Sequence, residues 1–175
     1  MNSIKIFTYK SPVGEILLGD YNEKLVLADW KYRKMRSAID HRIQSHLSAK
    51  YIEEKTALHQ QTLEEFDAYF QQKLKKFNIP IEFIGTEFQQ KVWNALLEIP
   101  FGKTETYLGL SKKLGIELAI RAVATANGAN AISIIVPCHR IIGSDGNLVG
   151  YAGGISAKKK LLQLENALPQ MEMEF

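Results

Sequence analysis

Among the 175 residues there is one cysteine, Cys138, in the stretch SIIVPCHRIIG from Ser133 to Gly143. A lone cysteine excludes an internal disulfide and a cysteine-rich zinc site, so the fold rests on an apolar core. The histidines His41, His46 and His59 show no ligand spacing with a thiol nearby, and no metal or cofactor is expected. Hydrophobic residues make up 46% and charged residues 23%, ordinary values for a folded soluble chain. No run of 18 apolar residues implies a membrane helix. The opening MNSIKIFTYKSPVG has too short an apolar run for a signal peptide and alternates like a strand. With an unpaired thiol, the cytoplasm is the expected compartment. The net charge of +3 permits an anionic partner without demanding one.

The first third alternates. Ile4, Phe7 and Tyr9 share one extended segment, and GEILLGD (14–20) and KLVLADW (24–30) form two more, which predicts a small antiparallel meander. Helical periodicity follows, weak over Lys34 to Lys50 and clearer over Thr56 to Leu74, where Leu58, Leu63, Phe66, Ala68, Tyr69 and Phe70 recur. FNIPIEFIG (77–85) reads as an extended connection, because Pro80 forbids a continuous helix. The expected organisation is therefore a domain over 1–80, a linker over 81–85, a second domain over 86–170 and a tail over 171–175.

The second half is better punctuated. Thr86 and Gln89 have capping-box spacing. Their helix places Phe88, Val92, Trp93, Leu96 and Leu97 on one face and ends at Pro100. YLGLSKKLG and IELAIRAVATANG read as two short helices broken at Gly115, a helix-turn-helix pattern shared by many αα-hairpins. The apolar run Ile132–Val136 reads as a buried strand, and IIGSDGNLVGY as a hairpin turning at Asp145-Gly146, a wing. A last helix runs from near Ser156 to near Asn166. Helix-turn-helix plus wing is a DNA-binding arrangement.

Pro137 stops the strand, so Cys138 is expected on a rigid turn. Two readings stand open for it: a buried structural thiol, or a nucleophile, which needs a proton-accepting neighbour. His139 is such a neighbour or a turn histidine bonded to a carbonyl, and Arg140 reads as half of a structural ion pair.

PCHR followed by Ile141-Ile142-Gly143 resembles the active-site signature of the O6-alkylguanine-DNA alkyltransferases. The resemblance covers the whole second half, in the family's order and spacing: IPFGKTETY (99–107), RAVATANGAN (121–130), IIVPCHRII (134–142), GYAGG (150–154) and LLQLE (161–165). The first third is similar only in general character. The resemblance implies an α+β fold, with a ribonuclease-H-like N-terminal domain and a winged-helix-like helix-turn-helix domain. It implies stoichiometric transfer of an alkyl group from guanine O6, with O4-alkylthymine left open, in double-stranded DNA to Cys138. Base flipping must come first, because sulfur cannot reach O6 inside the stack. By the same resemblance His139 takes the thiol proton through water and Glu165 orients the imidazole. Asn130 braces the cysteine turn, and Tyr107 contacts the guanine and adjacent phosphate and supplies a proton. Arg121 is the finger that fills the gap in the duplex. Ala122, Ala124, Ala126, Gly128 and Ala129 offer a small-residue surface to a minor groove only about 6 Å wide. Tyr151, Ala152 and Gly153 close over the base.

Each of these residues also has an ordinary reading: Glu165 as a surface carboxylate, Arg121 as a solvated helix arginine, the alanines as helix formers, Tyr107 as core and Asn130 as a helix stop. The chain departs from many relatives at Ala129, Ala131 and Lys160, where Arg, Pro and an aromatic are common. The expected state is a monomer, with assembly along DNA left open and no membrane partner. Three alternatives remain: a non-catalytic lesion binder, whose equivalent position lacks cysteine; a winged-helix regulator, which leaves Cys138, His139 and Glu165 without a shared purpose; and a cysteine hydrolase, which would turn over repeatedly.

Overall fold

The computed structural model describes residues 2–168, so the tail at 171–175 lies outside the described residues. β1 (Ser3–Ser11), β2 (Gly14–Tyr21) and β3 (Lys24–Trp30) form the expected antiparallel meander. The β2–β3 loop has Asn22 and Glu23 both at positive φ, which suits a tight hairpin between twisted strands. α1 (Arg36–Leu47) leads to β4 (Lys50–Glu53), which pairs parallel with β1 and completes a sheet of order β3-β2-β1-β4. β4 replaces the end of the first predicted helix. It is four residues long and half-buried at one position only, too little alternation to be read from sequence.

α2 (Ala57–Phe70) begins at Thr56, whose hydroxyl accepts from the His59 amide while His59 Nδ1 accepts from the Thr56 amide. It stops at Phe70 rather than Leu74, and Gln72 turns into the left-handed region. The second half opens with α3 (Glu87–Leu96), capped by Thr86 and Gln89 as the spacing predicts. Val92, Trp93 and Leu96 are buried, but Leu97 is 42% exposed, at the rim of the stripe and one residue past the helix end. β5 (Glu105–Thr106) precedes α4 (Tyr107–Lys113). Gly115, at φ +71°, and a short 3-10 turn (Glu117–Ala119) join α4 to α5 (Ile120–Gly128), the helix-turn-helix. β6 (Ile141–Ile142) and α6 (Ile155–Leu164) complete the chain.

Two expectations are corrected here. Ile132–Val136 is not a strand: Ile132 makes a single bridge to Ala28, and the chain then turns at Ile134, φ +71°. The wing is a turn, not a hairpin ladder. Gly143 N donates to Asn147 O at 2.9 Å, but β6 pairs in parallel with β5 instead. The backbone after Asn147 is drawn away, because Lys158 Nζ reaches the carbonyls of Val149 and Gly150.

The two halves share a core. One cluster joins Ile16, Leu18, Trp30, Phe66 and Tyr69 to Val92, Trp93, Leu96, Val136 and Leu161. A second, including Leu17, Leu27, Ile39 and Ile43, lies under α1, so successive residues of β2 enter opposite clusters. The 81–85 connection is pinned at its start: Leu25 N donates to Pro80 O (2.9 Å) and Glu82 N to Leu25 O (3.0 Å). Further along β3, Ala28 N donates to Ala131 O (2.8 Å) and Ser133 N to Ala28 O (2.7 Å). An otherwise bare sheet edge is thereby covered by the segment that leads to Cys138.

Candidate active site

Cys138 is placed by a run of local constraints. α5 ends beside Asn130, whose Oδ1 accepts from Ile132 N (3.0 Å) and whose Nδ2 donates to Val136 O (3.0 Å). That side chain ties both ends of the turn around Ile134, a β-branched residue at positive φ, a geometry that costs about 1–3 kcal/mol and persists only where its surroundings enforce it. Cys138–Arg140 then form one 3-10 turn. At three residues per turn, consecutive side chains diverge by about 120°, so adjacent residues need not oppose one another as in a strand. Cys138 faces a cavity of about 280 Å³ bordered by Tyr107, Asn127, Asn130 and Tyr151. His139 and Arg140 turn the other way, onto Glu165.

Cys138 is only 5% exposed. Burial pushes its thiol up from the ordinary value, more than the Asn130 hydrogen bond brings it down, so at neutral pH the sulfur carries its proton. The next residue in the chain, His139, is the candidate base; it is fully buried, with Nε2 2.7 Å from Glu165 Oε2. Among the described residues His139 Nδ1 has no hydrogen-bond partner. With Nε2–H committed to the carboxylate, Nδ1 carries the free lone pair. Burial lowers the imidazole from its ordinary value against the pull of Glu165, leaving it neutral and able to accept a proton.

Glu165 sits at the C-terminal end of α6, where the helix dipole disfavours an anion. Its carboxylate is 1% exposed and meets four donor N–H or O–H groups. Arg140 Nε donates to Oε1 (2.7 Å) and Arg140 Nη2 to Oε2 (3.2 Å), while the Tyr69 hydroxyl and His139 Nε2 also donate to Oε2. Burial pushes this carboxyl up, but His139 and Arg140 outweigh it and hold it at about 2. The ion-pair reading of Arg140 is met, with Glu165 as the partner.

Two buried polar residues join the site beyond those expected from the sequence. Tyr69 reads as one of a helical aromatic stripe, and nothing local signals where its hydroxyl ends. Lys158 sits in a Lys-Lys-Lys run that looks solvated, yet it is fully buried and burial lowers its ammonium to about 8. Its Nζ donates to Ile141, Val149 and Gly150 carbonyls, gathering the loop over the cavity. One signal was available: Lys158 lies three and four residues before Leu161 and Leu162, on the buried face.

The remaining sequence-predicted residues divide by exposure. Arg121, Ala122 and Gly128 are exposed along α5 and Ala124 is half-buried and borders the Cys138 cavity. Ala126 and Ala129, expected on the same surface, are buried, and Ala126 O accepts from Trp93 Nε1 (2.8 Å). A single helix cannot turn all five small residues to one side. Tyr107 starts α4, with its hydroxyl donating to Val149 O (3.3 Å). Tyr151 lies edge-on to His139 (6.4 Å) and to Trp30 (5.7 Å). Ala152 borders the cavity, and Gly153 passes so close to Trp30 that a Cβ there would lie 2.5 Å from the indole. Ala129 and Ala131, two of the departures, face the first half: Arg42 Nη2 donates to Ala129 O (3.0 Å) and Ala28 N to Ala131 O (2.8 Å). Lys160 is exposed. Among the described residues no three His, Cys, Asp or Glu side chains are grouped to hold a metal.

Residues 4–83 match the family model described as 6-O-methylguanine DNA methyltransferase, ribonuclease-like domain. Residues 87–167 match the one described as 6-O-methylguanine DNA methyltransferase, DNA binding domain. The methylated-DNA–protein-cysteine methyltransferase of Methanosarcina barkeri is 42% identical over 156 residues, covering 89% of this chain and 93% of its own. That of Methanosarcina acetivorans is 40% identical over 159 residues, covering 91% and 96%. Among solved structures, Mycobacterium tuberculosis OGT in complex with DNA is similar at a TM-score of 0.77 and 36% identity, covering 91% of each chain.

Proposed function

The chain belongs to the 6-O-methylguanine DNA methyltransferase family, and on that premise we propose that Cys138 is the acceptor in its reaction. The protein acts in DNA repair by alkyl transfer to a cysteine, and its partner is double-stranded DNA. Since the chain holds one cysteine, the acceptor sulfur is that of Cys138. The observation that carries the assignment is the buried thiol bordering a cavity, followed on the same turn by an imidazole with one nitrogen free and the other bonded to the Glu165 carboxylate.

The steps follow from that arrangement. The thiol proton passes to His139 Nδ1, directly or through one water, while Glu165 holds the tautomer and steadies the imidazolium. The thiolate sulfur attacks the alkyl carbon on O6, a C–S bond forms, the C–O6 bond breaks, and its electron pair stays on guanine. Tyr107, which borders the same cavity, returns a proton to the leaving purine. The thioether has no good leaving group, so each molecule reacts once. The acceptor half (86–170) carries the chemistry and the sheet half (1–80) supports it. Arg121 fills the gap left by the flipped base, with Ala122, Ala124 and Gly128 against the minor groove. Tyr151, Ala152 and Gly153 close over the base. No described helix is long and apolar enough to cross a membrane, and the cytoplasm, with its DNA, is the proposed place of action.

Intact mass spectrometry after incubation with an O6-methylguanine duplex tests this reading. One added methyl mapped to Cys138 is the expected result; an unmodified protein, or repeated turnover without modification, overturns it.

A further inference from the structure

We infer that Tyr69 is a positioning residue of the transfer reaction: from the sheet half, its hydroxyl donates to the carboxylate oxygen that holds His139 and so sets how strongly Glu165 draws on the imidazole. The inference rests on the reading above, in which His139 is the base. Tyr69 lies on α2, distant in sequence from every family motif, and is fully buried. Its ring packs edge-on against Phe70 (5.2 Å) and Phe101 (6.1 Å) and tilted against Phe77 (5.4 Å), which fixes where the hydroxyl points.

Four donor groups converge on the carboxylate, unevenly: Arg140 Nε on Oε1, and Arg140 Nη2, His139 and Tyr69 together on Oε2, which offers about two lone-pair sites. Arg140 is anchored further by Nη1, which donates to Ile99 O at 2.6 Å. Tyr69 and His139 share Oε2 with the longer contact from Arg140 Nη2 (3.2 Å), so the negative charge available to the imidazole depends on what the phenol withdraws. Removing the phenol O–H leaves the same carboxylate with one donor fewer in a site closed to water, and the pull on His139 Nε2–H strengthens. A more strongly held imidazole is a stronger base and stays protonated to higher pH. The other charged and titratable groups around the pair are Arg140 on the same turn, Cys138 beside it, Lys158 on α6 and Tyr151 from the closing loop. All of them remain in Tyr69→Phe, so a shift belongs to the hydroxyl.

The test is the pH dependence of single-turnover methyl transfer by the full-length protein, comparing wild type with Tyr69→Phe. The acid-side midpoint is expected to rise by about half to one unit, a part of the roughly one to two units that a whole hydrogen bond to a charged group is worth, because the effect reaches the imidazole through the carboxylate. A midpoint identical to wild type, whatever the height of the plateau, overturns the inference. NMR titration of the His139 ring gives a second reading that needs no substrate: its midpoint should rise in the variant, and an unmoved one counts equally against the inference. Failure of wild-type Cys138 to take up a methyl group would instead sink the parent reading.

Discussion

Arg121 and Glu165 are the two charges that matter most, and they are treated in opposite ways. Arg121 stands exposed at the start of α5. Glu165 is 1% exposed and receives four donated hydrogen bonds. Under the proposed roles, the difference follows from when each charge acts. A group that enters DNA must be free until the substrate arrives, since breaking a preformed ion pair would subtract from binding. A group that orients a base must be fixed beforehand, since reorganisation during the reaction would slow it. The Cys138 turn is held by Asn130, which follows α5, and by the Glu165 network through His139 and Arg140.

The largest effect tests the turn itself. Cys138→Ser is expected to abolish transfer in an intact-mass assay while alkylated duplex still binds in a gel-shift titration; persisting transfer would mean that the acceptor is elsewhere. Glu165→Ala should damage both chemistry and fold. We expect transfer to slow by about 10²-fold or more, as for loss of assistance to a general base. Urea unfolding should show a loss of about 3–5 kcal/mol, because Arg140 is left buried without its counter-ion. Unchanged stability would remove the contrast with Arg121. For Arg121→Ala the pattern reverses. Repair of a fully paired duplex should fall by about tenfold or more, the scale of losing support for an extruded base. Unfolding free energy should stay within about 0.5 kcal/mol, as for an exposed side chain. Equal rates on paired and mismatched lesions would count against the finger.

The pH dependence of stability tests the buried side of the comparison alone. The Glu165 carboxyl is held at about 2 in the folded protein, below the ordinary 4.5. A depressed folded value means that its contribution is fully present above about 4.5 and is lost as pH falls toward 2. Denaturation midpoints should therefore drop through that window, and Glu165→Gln should flatten the drop. A drop of equal size in the variant would assign the acid sensitivity to other carboxylates.

The meander, the capping box at Thr86 and the helix-turn-helix were legible because each is written in local periodicity or in a turn residue. Cys138 as the proposed acceptor comes through the family resemblance, and a chain with one cysteine leaves that resemblance one choice. The small-residue surface was half right: composition shows that α5 is rich in alanine, but only packing against Trp93 decides that Ala126 faces inward. The wing was misread because Asp145-Gly146 predicts a turn and not what the strands beyond it pair with. Lys158, by taking the Val149 and Gly150 carbonyls, and β5, by pairing with β6, settle that at long range.

By itself, then, the amino-acid order determined which segments are helical or extended and which residue types are on hand for chemistry, because the first depends on residues within a turn or two of each other and the second on composition alone. Tertiary structure alone decided the surroundings of those residues: a phenol from α2 on the carboxylate of α6, a buried lysine under the closing loop, a sheet edge covered by the approach to Cys138. The physical reason is that a group's basicity and burial are set by neighbours brought together in space. Tyr69 and Glu165 are 96 positions apart in the chain, and no spacing rule connects them.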